Sequence, residues 1–376
     1  MQYAVLTLIF IRPFISSLAY PWANSVYSFT LITILLSWLL KNNTPLERLK
    51  KLSLPIICFA LALVISSYFS INKIKSATEL YKYLSAILLI LVLPNLTEKI
   101  RKHYITGILT CGIIISILAL YQYFIGFSHL RNFINTQNIT TPFVLDYLQQ
   151  KRVFFPFVTP GILAGYLVMV APLILLYKKK IWLALPLFCA LLLTVSLGAF
   201  ISLFLAALVY LLLKNDFKKK KGIYLLGLLL LIPLVFLIRM ASGKIHLNPL
   251  FSVFMRINYW RDTIEIIKMH PLLGIGLGNF NLTYSRYAHN SFLQFWAEAG
   301  LLGIISLFWL VYAIFASSIN MIKDLAKDKE TLVLITCLTA FLFHNLWDFS
   351  FFLPEVSLIW WVILGLLSKP KLKIAF

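Results

Sequence analysis

Apolar runs separated by short polar punctuation organise this chain from end to end. Ile56 to Phe69, Tyr104 to Phe127 and Ile223 to Ile238 approach or reach the roughly 20 apolar residues that cross a bilayer core. The runs predict helices at about 3–20, 25–40, 52–70, 80–95, 104–126, 155–177, 181–196, 198–213, 223–239, 300–318, 331–349 and 356–368. The stretch 181–213 has two readings. It is too long for one span, and Ser196, Leu197 and Gly198 offer a tight break between two short ones; a single tilted helix would instead reverse the sidedness of everything after it. Over 251–267 the pattern changes. Phe251, Val253, Phe254, Ile257, Trp260, Ile264 and Ile267 recur at three or four residues, which predicts an amphipathic helix lying at the membrane interface. The fold class expected is an all-α polytopic membrane protein of about 12 transmembrane helices.

Composition agrees with the pattern: 61% of residues are apolar, 12% are charged and mean hydropathy is +0.89, whereas an ordinary soluble domain carries about a quarter charged residues. Arg12 and Pro13 interrupt the first apolar run and no long polar domain follows it, so the first segment is expected to remain as a helix rather than be cleaved. Cys58, Cys111, Cys189 and Cys337 stand alone inside apolar runs, without CxxC spacing, and read as core packing.

The net charge of +21 could suggest nucleic acid, but the cations come in short clusters between spans rather than on one basic face. With twelve spans, Lys41–Lys51, Glu98–His103, Lys178–Lys180, Lys214–Lys221, Lys323–Lys329 and Lys369–Lys373 fall on one side and hold 21 of the 34 Lys/Arg. Short basic loops mark the cytoplasm, so both termini are expected there and the long connections 127–154 and 240–288 in the periplasm. Those loops carry Arg131, Lys151, Arg152, Arg239, Lys244, Arg256, Arg261, Lys268 and Arg286 where positive charge is normally sparse. An anion site is one reading, and solvated or headgroup-contacting loops are the other.

The densest chemistry lies in His270-Pro271-Leu272-Leu273-Gly274-Ile275-Gly276-Leu277-Gly278-Asn279-Phe280, then His289-Asn290, then Gly300-Leu301-Leu302-Gly303. No strand precedes Gly274, Gly276 and Gly278, so a dinucleotide loop fails. They form either a tight turn of backbone against backbone or a nest of N–H groups free for phosphate. His289 opens an apolar helix, where the dipole lowers its pKa and favours the neutral, base-competent form; an interfacial histidine bonded to a loop carbonyl is the alternative. If the helix runs unbroken, Gly300 and Gly303 lie close to His289 on one face and permit close helix packing. Glu298 points away from that face and is expected to pair elsewhere. His344 and Asp348 are four apart on the penultimate helix, either as a carboxylate orienting an imidazole or, the favoured reading, as a polar lock between helices.

His289-Asn290, nine residues, then Gly300-x-x-Gly303 resembles the signature of the O-antigen ligase family, within the wider ligase/polymerase superfamily. Arg256-x-x-x-Trp260 and the segment Pro271–Phe280 resemble the same C-terminal module, over roughly 250–305. Arg152, ahead of Phe155-Pro156-Phe157 and Gly161, looks like the earlier outer-loop arginine of such enzymes, with Thr159-Pro160 in place of the usual Pro-Asn pair.

The resemblance implies a GT-C-like inner-membrane glycosyltransferase of lipopolysaccharide biosynthesis. It would take its glycan from an undecaprenyl diphosphate donor and pass it to a lipid A-core or other glycolipid acceptor on the periplasmic face. His289 would be the catalytic base, and Arg152 and Arg256, with Arg261 and Arg286 as alternates, would bind the diphosphate, since guanidinium groups pair well with phosphate oxygens. Asn290, Gly274, Gly276, Gly278, Gly300, Gly303, His344 and Asp348 are expected to support them. No Asp-x-Asp pair occurs, and the outer loops hold few carboxylates (Asp146, Asp262, Glu265, Glu355), so neither a metal nor a cofactor is expected. The rival is an O-antigen polymerase, with a second lipid-linked glycan as acceptor; a lipid-linked oligosaccharide flippase ranks below both, because a transporter places charges near mid-membrane. The chain then divides into N-terminal helices (1–126), a first periplasmic loop (127–154), central helices (155–239), a large periplasmic loop with the signature module (240–305) and C-terminal helices (306–376).

Overall fold

The computed structural model describes residues 1–41, 50–137, 148–214, 219–242, 251–324 and 328–368; Asp146, Lys244, the side chain of Arg239 and much of the basic segments lie outside the description. Among the described residues the named elements are all helical. They are α1 (Gln2–Ile11), α2 (Pro21–Lys41), α3 (Lys50–Tyr68), α4 (Lys73–Val92), α5 (Glu98–Tyr121), α6 (Phe127–Thr136), α7 (Pro160–Val170), α8 (Ala184–Leu193), α9 (Leu197–Lys214), α10 (Lys219–Ser242), α11 (Phe251–Met269), α12 (Ser291–Asp324), α13 (Lys329–His344) and α14 (Pro354–Leu367). Six helical segments are long and apolar enough to cross a membrane, and shorter apolar helices accompany them. The chain is a multi-pass membrane protein.

Helices apolar on every side belong at the centre of a bundle. α14 is buried throughout, α7 at every residue but Gly161, and α13 nearly so. α2 and α3 lie outside them and turn Trp22, Phe29, Leu40, Ile57 and Leu61 outward, as helices in contact with hydrocarbon do. At one end of the bundle Arg101 of α5 pairs with Glu330 and donates to the Leu366 carbonyl. At the opposite end the Arg12 guanidinium lies 3.5 Å from Glu355, and the Ile71 N–H donates to the Ile275 carbonyl at 3.1 Å.

The stretch 181–213 breaks at Thr194 to Ser196, where Val195 has φ 49°, so two helices occupy it. Two expectations are corrected. The first helix ends at Ile11 rather than near 20, because Arg12-Pro13 opens a 3-10 turn. The penultimate helix ends at His344 rather than 349, so Asp348 lies in the segment beyond it and not on the same helical face. There its carboxylate accepts the N–H groups of Phe349 (2.8 Å) and Ser350 (3.0 Å).

The largest departure is in α12. Gly300 has φ 69° and ψ −176°, a region of backbone space essentially reserved for glycine. A straight helix would place residues 292 and 308 roughly 24 Å apart, yet their rings stack with centroids 5.5 Å apart. The chain therefore doubles back at Gly300, making a short first arm (291–299) folded against a long second arm (301–324). A β-carbon on Gly303 would lie 3.7 Å from the Phe295 ring and overlap Ala299, so the missing side chain lets the arms close. The reading of an unbroken helix with both glycines on the His289 face fails here.

Candidate functional site

The reversal at Gly300 opens the helical hydrogen-bond ladder, and the glycine-rich segment closes it. Leu301 and Leu302 would donate to Ala297 and Glu298 in a continuous helix. Instead they donate to the carbonyls of Pro271 (2.9 Å) and Leu272 (3.3 Å). The carbonyls of Ala297 and Glu298 accept from Ile275 and Gly276, each at 2.9 Å. Four backbone groups that would cost several kcal/mol each if left bare in a membrane are thus exchanged between two segments. Gly274 N–H donates to His270 (3.1 Å) and Gly278 N–H to the Glu298 carboxylate (2.7 Å). The expectation of amides free for phosphate is overturned, and the backbone-against-backbone turn is what forms. Its glycines are required at φ 71°, 93° and 70°; a β-carbon on Gly274 would sit 2.6 Å from the Gly300 nitrogen.

Glu298 is 3% exposed and connects this turn to the histidine. It accepts from Gln294 Nε2 at 3.0 Å, and Gln294 in turn accepts the Ala288 N–H at 3.1 Å, immediately before His289. His289 itself has φ 52°, and Asn290 closes the start of the first arm by accepting from Phe292 (3.0 Å) and Leu293 (3.1 Å). The imidazole stacks on Tyr259 of α11 (centroids 5.4 Å) and meets Phe349 edge-on (4.8 Å). Its Nδ1 is sealed from solvent without a hydrogen-bond partner, which leaves Nε2 as the nitrogen a substrate could reach. Burial lowers its pKa to about 4, with nearby Arg256 acting the same way and Asp348 opposing. The ring is neutral at physiological pH, and burial is the largest cause.

Arg256 and Arg152 hang from one seam. Arg256 Nε donates to the Trp347 carbonyl at 3.0 Å and Nη1 to Ser252 at 3.2 Å. Trp347 packs over Gly198, where a β-carbon would be 3.0 Å from its indole. Just before that glycine, the Thr194 carbonyl accepts Arg152 Nε at 2.9 Å. The Arg152 segment is held by Val153 N–H on Leu193 (3.1 Å) and by Gln122, which accepts from Phe154 (2.8 Å) and Phe155 (2.9 Å). The other two arginines are exposed: Arg261 donates to Asn258 at 2.9 Å, and Arg286 lies over the Tyr287 ring at 5.8 Å.

His344 Nε2–H donates to the Gly161 carbonyl at 3.1 Å and lies 3.8 Å from Asp348, with both side chains buried. These contacts tie α13 to α7. Ser291 is fixed to the same segment, its hydroxyl donating to Asn345 (2.7 Å) and its N–H to the Asn345 carbonyl (2.9 Å). Among the described residues no group of three or more His, Cys, Asp or Glu is arranged around a metal position. Sequence reading missed Tyr259, Phe349, Gln294, Ser291 and Asn345. Tyr259 sits inside the Arg256-x-x-x-Trp260 motif, and Asn345 directly follows His344; the others carry no local signal.

The amphipathic stripe also divides differently from expectation. Val253, Phe254, Ile257 and Ile264 are exposed, while Arg256, Tyr259, Thr263 and Ile267, one turn apart, face the protein. With the turn and the first arm they enclose a small core of Ile267, Ile275, Phe280, Leu282, Ala288 and Ala297.

Residues 182–308 match a family model described as O-antigen ligase. Over that segment the chain is similar to the O-antigen ligase family. The matched segment runs from the start of α8 into the second arm of α12 and contains Arg256, Arg261, Arg286, His289 and all the glycines of the turn and reversal. Arg152, His344 and Asp348 lie outside it. None of the curated proteins compared with the chain matches it.

Proposed function

We propose that the chain is an inner-membrane glycosyltransferase that moves a glycan from undecaprenyl diphosphate to a lipid A-core acceptor on the periplasmic face. Similarity of the matched segment to the ligase/polymerase family supports an enzyme acting on lipid-linked sugar. The observation that carries the finer reading is the pairing of a neutral imidazole with an arginine that acts on it electrostatically, the ring packed against Tyr259 and Phe349 and the guanidinium held by the Trp347 carbonyl, so that the site is preorganised. Transfer needs a base for the acceptor hydroxyl and positive charge on the departing diphosphate. His289 Nε2 accepts the hydroxyl proton as that oxygen attacks the anomeric carbon, and the bond from that carbon to the diphosphate oxygen breaks. Arg256 and Arg152 stabilise the charge left on the diphosphate. No Asp-x-Asp pair exists in the chain to hold a metal-bound diphosphate, and transfer is expected to persist in EDTA.

Deleting the gene tests the reading in the producing cell. Accumulation of lipid-linked polymer with no polymer on lipid A-core is the expected result; single repeat units on lipid A-core would mean a polymerase instead, and unchanged lipopolysaccharide would sink both. Sidedness has its own test. A cysteine at Thr283 should react with an impermeant reagent in cells whose outer membrane is permeabilised, and one at Lys102 should not.

A further inference from the structure

Resting on the transfer reading above, we infer that Tyr284 and Tyr259 form a saccharide platform that receives the acceptor sugar and leads it to His289. Tyr284 is 53% exposed, yet it is not loose. It stands at the tip of a turn closed by the Leu282 N–H on the Ser285 carbonyl (2.9 Å), and the Ser285 hydroxyl donates to the Tyr287 carbonyl at 2.7 Å. The Tyr284 hydroxyl donates to Asp262 of α11. A large aromatic side chain kept rigid at the surface offers contact area at little entropic cost. From Tyr284 the rings continue inward. Tyr259 is 5.7 Å away by centroid, and the His289 imidazole stacks 5.4 Å beyond it.

The polar groups beside this ladder select the ligand class. Asn258, Arg261 and Asp262 occupy one turn of α11 next to Tyr284, with Arg261 donating to Asn258 at 2.9 Å. A pyranose presents a face of polarised C–H bonds, which suits the negative face of an aromatic ring. Its hydroxyls radiate around that face, where a carboxylate accepts, a guanidinium donates and an amide does both. A phosphate would meet the Asp262 carboxylate beside the arginine, and a hydrocarbon chain would strand all three polar groups. The platform therefore lies on the acceptor's path, whereas the seam at Trp347 and Thr194 holds the arginines assigned to the donor.

The test uses purified full-length protein without donor, so that binding is read independently of transfer. The probe is the lipid A-core oligosaccharide freed of its acyl chains, followed by saturation-transfer NMR. Wild type should bind it, Tyr284→Phe, which keeps the ring and loses the Asp262 tether, should bind less than about tenfold more weakly, and Tyr284→Ala should bind about tenfold more weakly, the scale of a lost aromatic contact. In a transfer assay the same alanine variant should raise the acceptor KM by a similar factor and leave the donor KM in place. Equal binding by wild type and Tyr284→Ala overturns the platform, as does displacement of the saccharide by pyrophosphate. Transfer by a wild-type protein that binds no saccharide overturns the platform alone. Binding without any transfer keeps the platform and removes the transfer reading.

Discussion

In the first arm of α12 the buried polar groups Ser291, Gln294 and Glu298 reach out to Asn345, Ala288 and Gly278. In the second arm Ser306 and Ser318 return their hydroxyls to carbonyls of their own helix, Gly303 at 2.9 Å and Ile314 at 2.8 Å. Beyond its first two residues, whose N–H groups go to Pro271 and Leu272, and a second contact of the Ser318 hydroxyl with the Leu367 carbonyl at 3.2 Å, the second arm satisfies its polar groups within its own helix, close to the ordinary condition of a membrane helix. The first arm is too short and too polar for that. It is defined by segments elsewhere in the chain, and the candidate base stands just before its start. Self-sufficient helices carry the scaffold here, and a dependent one carries the chemistry.

Removing the boundary between the arms should have the largest effect. Gly300→Ala puts a β-carbon 2.5 Å from the Leu273 carbonyl carbon on a backbone that only glycine adopts readily, so transfer should be abolished. Cysteines at Phe292 and Phe308 in a cysteine-free background should cross-link in the parent and fail to do so in this variant; cross-linking in both would mean that the arms fold together without the glycine.

Next comes the chemistry at the start of the first arm. General base catalysis contributes on the order of 10² to 10⁴-fold, so His289→Ala should lose transfer on that scale while the 292–308 cross-link persists. His289→Gln separates positioning from proton transfer, because an amide can hold a hydroxyl but cannot take its proton at neutral pH. Wild-type rates from both variants would eliminate the histidine.

Arg256→Lys and Arg152→Lys keep the charge and lose the planar geometry. Each should reduce transfer by about 10²-fold, the cost of one charge-assisted contact made in the transition state. Undiminished rates in both would free the arginines from the mechanism.

The smallest expected change is with pH. The His289 pKa is lowered to about 4 by burial, so its neutral form persists from pH 8 down to that value and the transfer rate should show no histidine limb between pH 5 and 8. The unfolded chain's histidine titrates near 6.5. Between that value and 4 the unfolded state binds more protons, so the stability this site contributes is present above about 6.5 and is lost as pH falls through the window. A rate profile with a midpoint near 6.5 would contradict the burial of the ring.

The second arm's start near residue 300, the break in 181–213 and the helix over 251–269 were legible because each follows from apolar length or periodicity. Helix starts at Lys73 and Glu98 were not, since their first turns are polar and fall outside any apolar count. His289 and Arg256 could be picked out by residue type and neighbouring motif. The fold-back could not, because a lone glycine in an apolar run is compatible with a straight helix and only the partner segment 271–276 decides otherwise. Tyr259 was hidden for a related reason: the apolar stripe of its helix faces away from the protein, and the half-polar face is the one that packs.

The Ser291 contacts have a consequence for how the molecule is made. The arm that presents His289 is anchored at its start by Asn345, which the ribosome adds more than fifty residues later. When residue 308 leaves the ribosome the matched segment is complete as a sequence, but its histidine has no Asn345 or Phe349 to settle against. Assembly of the centre must wait until α13 and the segment after it are made and packed against the arm. A fragment cut at the end of that segment would keep the signature and lack the surface that orients it, so the working unit is longer than the recognisable one.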